Sequence, residues 1–235
     1  MHATAMQNGK RFFDAYLPFI KEPVVADIGA QDVNGSLRQV CHQGVRYVGV
    51  DFVKGPGVDV ILDDPYKLPF EAASLDVVIS SSCFEHSQMF WLLFLEVMRV
   101  LKPEGLFYLN APSNGPFHRY PVDCWRFYPD SGHALVAWAE RNGMKPAVLE
   151  SFVADQEAER WNDYVCVFVK DAAHAAHAAR YPNRMIETVG GYANGTTIGR
   201  SESDGFLNPQ GQTEDQRFFG WRIHKAVKRA LRGRF

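Results

Sequence analysis

The chain has 235 residues, 46% hydrophobic and 22% charged, which suits an ordinary globular protein of one ample domain, or a domain with an extension. A formal net charge of −2 gives no global electrostatic reason to expect nucleic acid as a partner. Four scattered cysteines include no Cys-x-x-Cys pair for zinc or redox work, and there is neither a signal-peptide core nor an apolar run of about eighteen residues, so a cytoplasmic setting is expected.

From Thr4 to Ile20, Phe12, Phe13, Tyr16, Leu17 and Phe19 recur at three- and four-residue spacings between Lys10, Arg11 and Asp14. That pattern predicts a helix with one apolar face, ended by Pro23. Val24 to Ile28 is a short apolar run that leads into Gly29, with Asp27 near its end. A polar turn over Ala30 to Ser36, a helix over Leu37 to His42 and a second strand over Tyr47 to Val50 follow, the last stopping at Asp51. Strand, glycine turn, helix and strand closing on an acid make the first half of a nucleotide-binding βαβ unit. Gly29 lets the backbone approach a ligand, and Asp51, twenty-two residues later, is placed to hold a ribose diol. A pyrophosphate would need bare backbone where Gln31 stands. A ligand with ribose and adenine but no phosphate fits better, and S-adenosylmethionine is such a ligand.

A third strand is predicted over Val58 to Leu62 and a fourth over Leu75 to Ser80, which opens into Ser81-Ser82-Cys83-Phe84-Glu85-His86. A helix over Ser87 to Leu101 is stopped by Lys102-Pro103-Glu104-Gly105, and Leu106 to Asn110 forms a fifth strand. Short apolar strands alternating with helices imply a mostly parallel sheet covered on both faces, with ligands beyond the carboxyl ends of the strands. Asp27, Asp51, Asp64, Ser82 and Asn110 should therefore share one rim. A polar-aromatic loop over 111–130 comes next, then a helix over Ser131 to Asn142. Two closing strands, Lys145 to Val153 and Asn162 to Lys170, form a hairpin-like pair unlike a dinucleotide fold. Beyond Asp171, an Ala/His run carries His174 and His177, with no further ligand beside them to make a metal site. Arg180 to Glu214 reads as a surface arm or linker. Phe218 to Leu231 is a basic helix candidate with Phe219, Ile223, Val227 and Leu231 on one stripe, in a tail (215–235) holding seven Lys/Arg and one Asp.

Placed in order, five blocks resemble the class I S-adenosylmethionine-dependent methyltransferases, in particular the bacterial methyltransferase-11-like branch. They are Ala26-Asp27-Ile28-Gly29, then Val48-Gly49-Val50-Asp51, then Asp64-Pro65-Tyr66-Lys67-Leu68-Pro69-Phe70, then Leu75-Asp76-Val77-Val78 with Phe84-Glu85-His86, then Glu96 to Gly105. The resemblance implies an α/β fold, a Rossmann-like seven-stranded methyltransferase sheet with helices on both faces, plus a C-terminal extension. Residues 1–170 would form the methyltransferase domain and 171–235 the arm. It also implies that Asp27 and Gly29 border the methionine portion of S-adenosyl-L-methionine. Asp51 would take the ribose hydroxyls, Phe52 would lie on adenine, and Asp64 would accept from the adenine amine. Ser81 and Ser82 would lie near the methionine end. The turn departs from the family pattern at Gln31, which is expected to touch the ligand. Pro65 lacks the N–H that usually meets an adenine nitrogen, leaving Tyr66 as the substitute donor.

Methyl transfer from a sulfonium is an in-line displacement that needs no metal, and a hydroxyl acceptor must also lose a proton. The acceptor site is expected in the loop after the fifth strand, which offers His118 as base, Asp123 as carboxylate, Arg126 as a cationic fork, and Phe117, Tyr120 and Trp125 as walls. His86, beside the rim, is a further candidate for proton transfer, or else packs at a helix start. Arg126 either grips the acceptor or staples the loop to Asp123, and Trp125 either walls the site or joins the core. Similar loops in methyltransferases of bacterial polysaccharide clusters lean the acceptor towards a sugar, glycan or related small molecule, consistent with stacking rings and a few directed polar groups. The basic C-terminal helix would touch an anionic membrane peripherally, or pack on a partner subunit as in a homodimer.

Overall fold

The computed structural model describes residues 2–154, 161–175, 185 and 194–197. Helix α1 (Ala3–Tyr16) leads through a turn of 3-10 helix (Leu17–Phe19) into β1 (Val24–Ile28), followed by β2 (Arg46–Asp51), β3 (Val60–Ile61) and β4 (Leu75–Ser81). After α2 (Phe90–Val100) come β5 (Leu101–Pro112), α3 (Pro129–Arg141), β6 (Ala147–Val153), β7 (Asp163–Val169) and β8 (Asn194–Thr197). The sheet order is β3-β2-β1-β4-β5-β7-β6-β8. β3, β2, β1, β4 and β5 run parallel, whereas β7 is antiparallel to both β5 and β6. The expected seven strands and the terminal pair are present, with β8 added beside β6.

Alternate residues of each central strand feed two cores, as the period-2 geometry of a strand requires. Phe107, Leu109, Cys166 and Phe168 face α2 and α3, joining Phe94, Val97, Met98 and Leu135. Leu106, Tyr108, Val165 and Val167 face the other way, onto Phe12, Phe13, Tyr16 and Leu37. Burial of both faces explains why these strands read as continuous apolar runs.

Three expectations change. The helix expected over Leu37 to His42 is a single 3-10 turn, Leu37–Val40. The segment between Ser36 and Gly44, which adopts φ +83°, leaves too little chain for a helix able to bury a face. Helix α1 covers that side instead, so closely that a Cβ at Gly9 would stand 2.2 Å from a Leu37 methyl. Lys102-Pro103-Glu104-Gly105 is not a stop before the fifth strand but an irregular, part-exposed start of β5, with a register shift against β4. Within the expected arm, Met185 is fully buried in the α1-side core and Asn194–Thr197 adds an edge strand to the sheet. His177, most of the arm and the basic stretch from Phe218 to Leu231 lie outside the described residues. Among the described residues, no helix is long and apolar enough to cross a membrane.

Candidate active site

The carboxyl ends of β1, β2, β4 and β5 set out the rim. Gly29 adopts φ +80°, and a Cβ there would lie 2.6 Å from Cys83 Cβ, so both backbone conformation and space demand glycine. Gly29 and Ala30 both donate their N–H to the Val50 carbonyl, which binds the turn to β2. Asp51, only 8% exposed, accepts from the N–H of Gln31 (3.2 Å) and of Val53 (3.0 Å). Each carboxylate oxygen keeps a lone pair for a ribose hydroxyl. Phe52 beside it is 51% exposed, free to present a ring face. Asp27 is buried and accepts from the Tyr47 hydroxyl at 2.5 Å. Burial pushes its carboxyl up to about 7, with Tyr47 and Arg38 pulling it down and the Asp51 charge pushing it up.

Asp64 is different. It is exposed, and its Oδ1 accepts the Tyr66 N–H at 2.8 Å. The donor expected to replace the missing Pro65 N–H is thus engaged within the same turn. Gln31 packs its amide over Gly55 and accepts the Tyr120 hydroxyl at 3.0 Å, so the glycine turn is tied to the loop that follows β5.

At the end of β4, Ser82 takes φ +53° and donates its N–H to the Asn110 carbonyl of β5. Such a conformation is uncommon for a non-glycine residue. Buried Ser81 Oγ and Asn110 Nδ2 have no hydrogen-bond partner among the described residues. A polar ligand at this rim would satisfy them. The Gly29 cradle, the Asp51 carboxylate, the Phe52 ring and these two orphaned groups together suit a ribose, an adenine and an amino-acid tail.

The loop from Ser113 to Tyr128 is fastened at several points. The Glu85 carbonyl accepts Cys124 N–H (2.8 Å) and Trp125 N–H (3.2 Å), and Phe127 N–H reaches the Pro112 carbonyl. Asp123 accepts from both Arg126 terminal nitrogens (2.6 and 2.8 Å) and from His118 N–H (2.7 Å). The guanidinium holds the Asp123 carboxyl down at about 2. Arg126 also donates to the Trp125 and Pro116 carbonyls, so its fork is spent inside the loop rather than offered to a ligand. Trp125 donates to the Ser87 carbonyl and sets its ring edge-on to Phe90 and Trp91, leaving it 37% exposed.

These contacts bring His118 against His86, ring centroids 4.9 Å apart. His86 Nδ1 bonds the Val122 carbonyl, and burial keeps the ring below its ordinary value. Its Nε2 lies 3.7 Å from Glu85 Oε1. Glu85, which the sequence suggested only as a structural residue, completes the cluster. It is 1% exposed, its Oε2 has no hydrogen-bond partner among the described residues, and burial, with the Asp163 and Asp123 charges, pushes it up to about 8. An acid at the end of an apolar strand, within Phe84-Glu85-His86, was the available signal. The chemistry this cluster suits is withdrawal of a proton from a polar acceptor.

Comparison with known proteins agrees with this geometry. The methyltransferase domain family model matches residues 17–109. A phthiotriol/phenolphthiotriol dimycocerosates methyltransferase of Mycobacterium tuberculosis is 37% identical over 96 residues, 39% of this chain and 32% of that protein. The chain therefore spans about a third of the length of the curated relatives it matches. The Burkholderia thailandensis 1,6-didemethyltoxoflavin-N1-methyltransferase, solved with S-adenosylhomocysteine, shares the fold with a TM-score of 0.54 at 18% identity, over 71% of this chain and 78% of that one. A SAM-dependent methyltransferase from Archaeoglobus fulgidus has a TM-score of 0.50 at 17% identity, over 70% and 94% of the two chains. Residues 17–109 match a methyltransferase domain, and the described fold is that of known S-adenosylmethionine-dependent methyltransferases. S-adenosylmethionine is the cofactor of that class.

Proposed function

We propose that the whole chain transfers the methyl group of S-adenosylmethionine to a hydroxyl of a small polar acceptor, of the sugar or glycan-related kind. The observation that carries this reading is the cluster of His86, His118 and buried Glu85, held beside the rim by a loop that also bonds the glycine turn through Tyr120 and Gln31. The acceptor oxygen forms the O–C bond as the C–S bond breaks. Sulfur keeps the electron pair and becomes a neutral thioether, and the hydroxyl proton leaves within the cluster. Positioning on the in-line path supplies much of the rate, and help with the proton adds about 100- to 10,000-fold. Asp123 serves as a positioning residue through the His118 N–H. A nitrogen acceptor would need less of this help, which is why the cluster favours oxygen.

The exposed rings of Phe117, Tyr120 and Trp125 support a sugar-like acceptor, since such rings stack on the flat faces of pyranoses. The names of the relatives do not select it: the mycobacterial protein acts on phthiotriol dimycocerosates, and only a third of it is matched. Four free cysteines support a cytoplasmic setting. We take residues 1–170 as the part that carries the reaction, with Asp27, Gly29, Gln31, Asp51, Phe52, Ser81 and Ser82 around the cofactor. Asp64 joins them through Oδ2, since the Tyr66 N–H engages only Oδ1.

Calorimetry with S-adenosylmethionine tests the core of the reading. The wild type should bind, and Asp51→Ala should lose at least about tenfold in affinity while staying folded, as expected for two hydrogen bonds to a charged group. Equal affinity in the variant removes Asp51 from the site. Transfer of labelled methyl from the cofactor to hydroxyls of a sugar pool then tests the acceptor class.

A further inference from the structure

The same corner of the molecule carries a second kind of order. The metal-ligating atoms of Glu85, His86 and His118 all lie within 4.8 Å of one another, although His118 is far from the other two in sequence. His86 Nδ1 is committed to the Val122 carbonyl, so with the proton there its Nε2 keeps the lone pair. His118 Nδ1 stands 3.3 Å from Asp123 Oδ2 and 3.4 Å from the Pro116 carbonyl, two acceptors that place the proton on Nδ1 and the lone pair on Nε2. Histidines that hold metals characteristically keep their other nitrogen on a carboxylate or a backbone carbonyl, which fixes tautomer and ring angle. Both rings have that support.

The third member is a buried carboxyl whose Oε2 meets no hydrogen-bond donor among the described residues. Beside it is a cavity of about 10 Å³, lined in part by Ser82, Glu85, His118, Trp161 and Asp163. That is roughly the room a water or one bound atom occupies. A buried carboxyl with one unpartnered oxygen thus borders a small polar cavity that His118 also lines, while His86 Nε2 stands 3.7 Å from its other oxygen.

We propose that Glu85, His86 and His118 form a site for one divalent transition-metal ion, zinc(II) by its ligand set, with a coordination position open to the cavity. Around a tetrahedral zinc with bonds of about 2.0–2.2 Å, donors stand roughly 3.4 Å apart. The Glu85–His86 pair, at 3.7 Å, is already near that spacing, and His118 sits on a part-exposed loop that can close the rest. Two histidines and one carboxylate with an open position are the ligand set of catalytic rather than structural sites. Binding of the ion does not depend on methyl transfer, whereas its use does rest on that reading. With the ion bound, these imidazoles would no longer take the proton: an acceptor hydroxyl in the open position would lose it to water instead, and its oxygen would then bond the methyl carbon as the C–S bond breaks and sulfur keeps the electron pair.

The test uses the full-length chain, freed of metal with a chelator and titrated with cobalt(II), followed by its visible absorption, and then with zinc(II) by calorimetry. The expected result is one ion per chain, with affinity falling more than about 100-fold in His118→Ala and in His86→Ala while circular dichroism stays that of the wild type. No stoichiometric binding by the wild type, or equal affinity in both variants, overturns the proposal. Affinity for S-adenosylmethionine, measured on the same samples, reports separately on the methyltransferase reading.

Discussion

The glycine turn and the acceptor loop face the same rim but are held in place by different bonds. At the glycine turn the backbone dominates: Gly29 and Ala30 hang from the Val50 carbonyl, and Asp51 gathers the N–H groups of Gln31 and Val53. All these residues lie at the ends of two paired parallel strands, so their geometry follows from the β1–β2 register. The acceptor loop has no regular structure between Ser113 and Tyr128, and its shape depends on side chains and remote carbonyls. The Asp123–Arg126 pair stiffens it from within, and the Glu85 and Ser87 carbonyls fix it from outside. A site edge built on strand pairing is specified locally, whereas one built on a loop is specified only once the rest of the fold exists.

If the cofactor side is rigid enough to keep Asp27 dry, its carboxyl must shape the pH dependence of folding. Its ordinary value of 3.8 is raised to about 7 by burial. The unfolded chain gives up that proton near its ordinary value while the folded chain keeps it. The contribution is therefore full below about pH 4, is lost as pH rises, and levels off above about pH 7. The whole shift corresponds to roughly 4 kcal/mol. Asp27→Asn, whose amide oxygen still accepts the Tyr47 hydroxyl, should remove this slope. Urea unfolding from pH 4 to 8 should show the variant gaining steadily on the wild type. Parallel profiles would mean that Asp27 ionises inside the fold and that the turn is wetter than its packing indicates.

The loop should answer to a different substitution. Asp123→Asn loses the carboxylate that accepts from both Arg126 nitrogens, a change expected to cost about 2 kcal/mol in local stability. Hydrogen exchange then separates the two regions. Amides from His118 to Arg126 should exchange about 30-fold faster in the variant, while those of β1 and β2 keep wild-type protection. Equal acceleration in both would show that the two edges unfold as one unit.

This contrast explains what could be read from the sequence. The first, second and fourth strands and the closing antiparallel pair were legible because each is a continuous apolar run bounded by polar residues. The helix expected at Leu37 to His42 failed because a pattern of residue types does not report that α1, arriving from earlier in the chain, already fills that face. Asp64 matched its motif, but a motif does not report that Oδ1 accepts the Tyr66 N–H, which leaves Oδ2 as the oxygen open to a ligand. His118 and Asp123 were found as residue types suited to proton transfer, but their partners were not. Glu85 acquires its burial from neighbours on the acceptor loop and from Asp163 on β7, none of them near it in the chain. Arg126 was open to two readings because loop stapling and ligand binding ask for the same residue.

The two regions meet through the Tyr120 hydroxyl, which donates to Gln31 Oε1 at 3.0 Å across 89 positions of sequence. Tyr120→Phe removes that one neutral bond and keeps the ring, a change worth about 1 kcal/mol. If the loop closes over bound S-adenosylmethionine, the bond is lost from the closed state alone. The effect then falls on release: stopped-flow measurement should give a cofactor dissociation rate about fivefold higher, with the association rate unchanged. A fivefold slower association would place the bond in an encounter step instead. No change in either rate would show that the loop and the cofactor edge, although bonded, act independently.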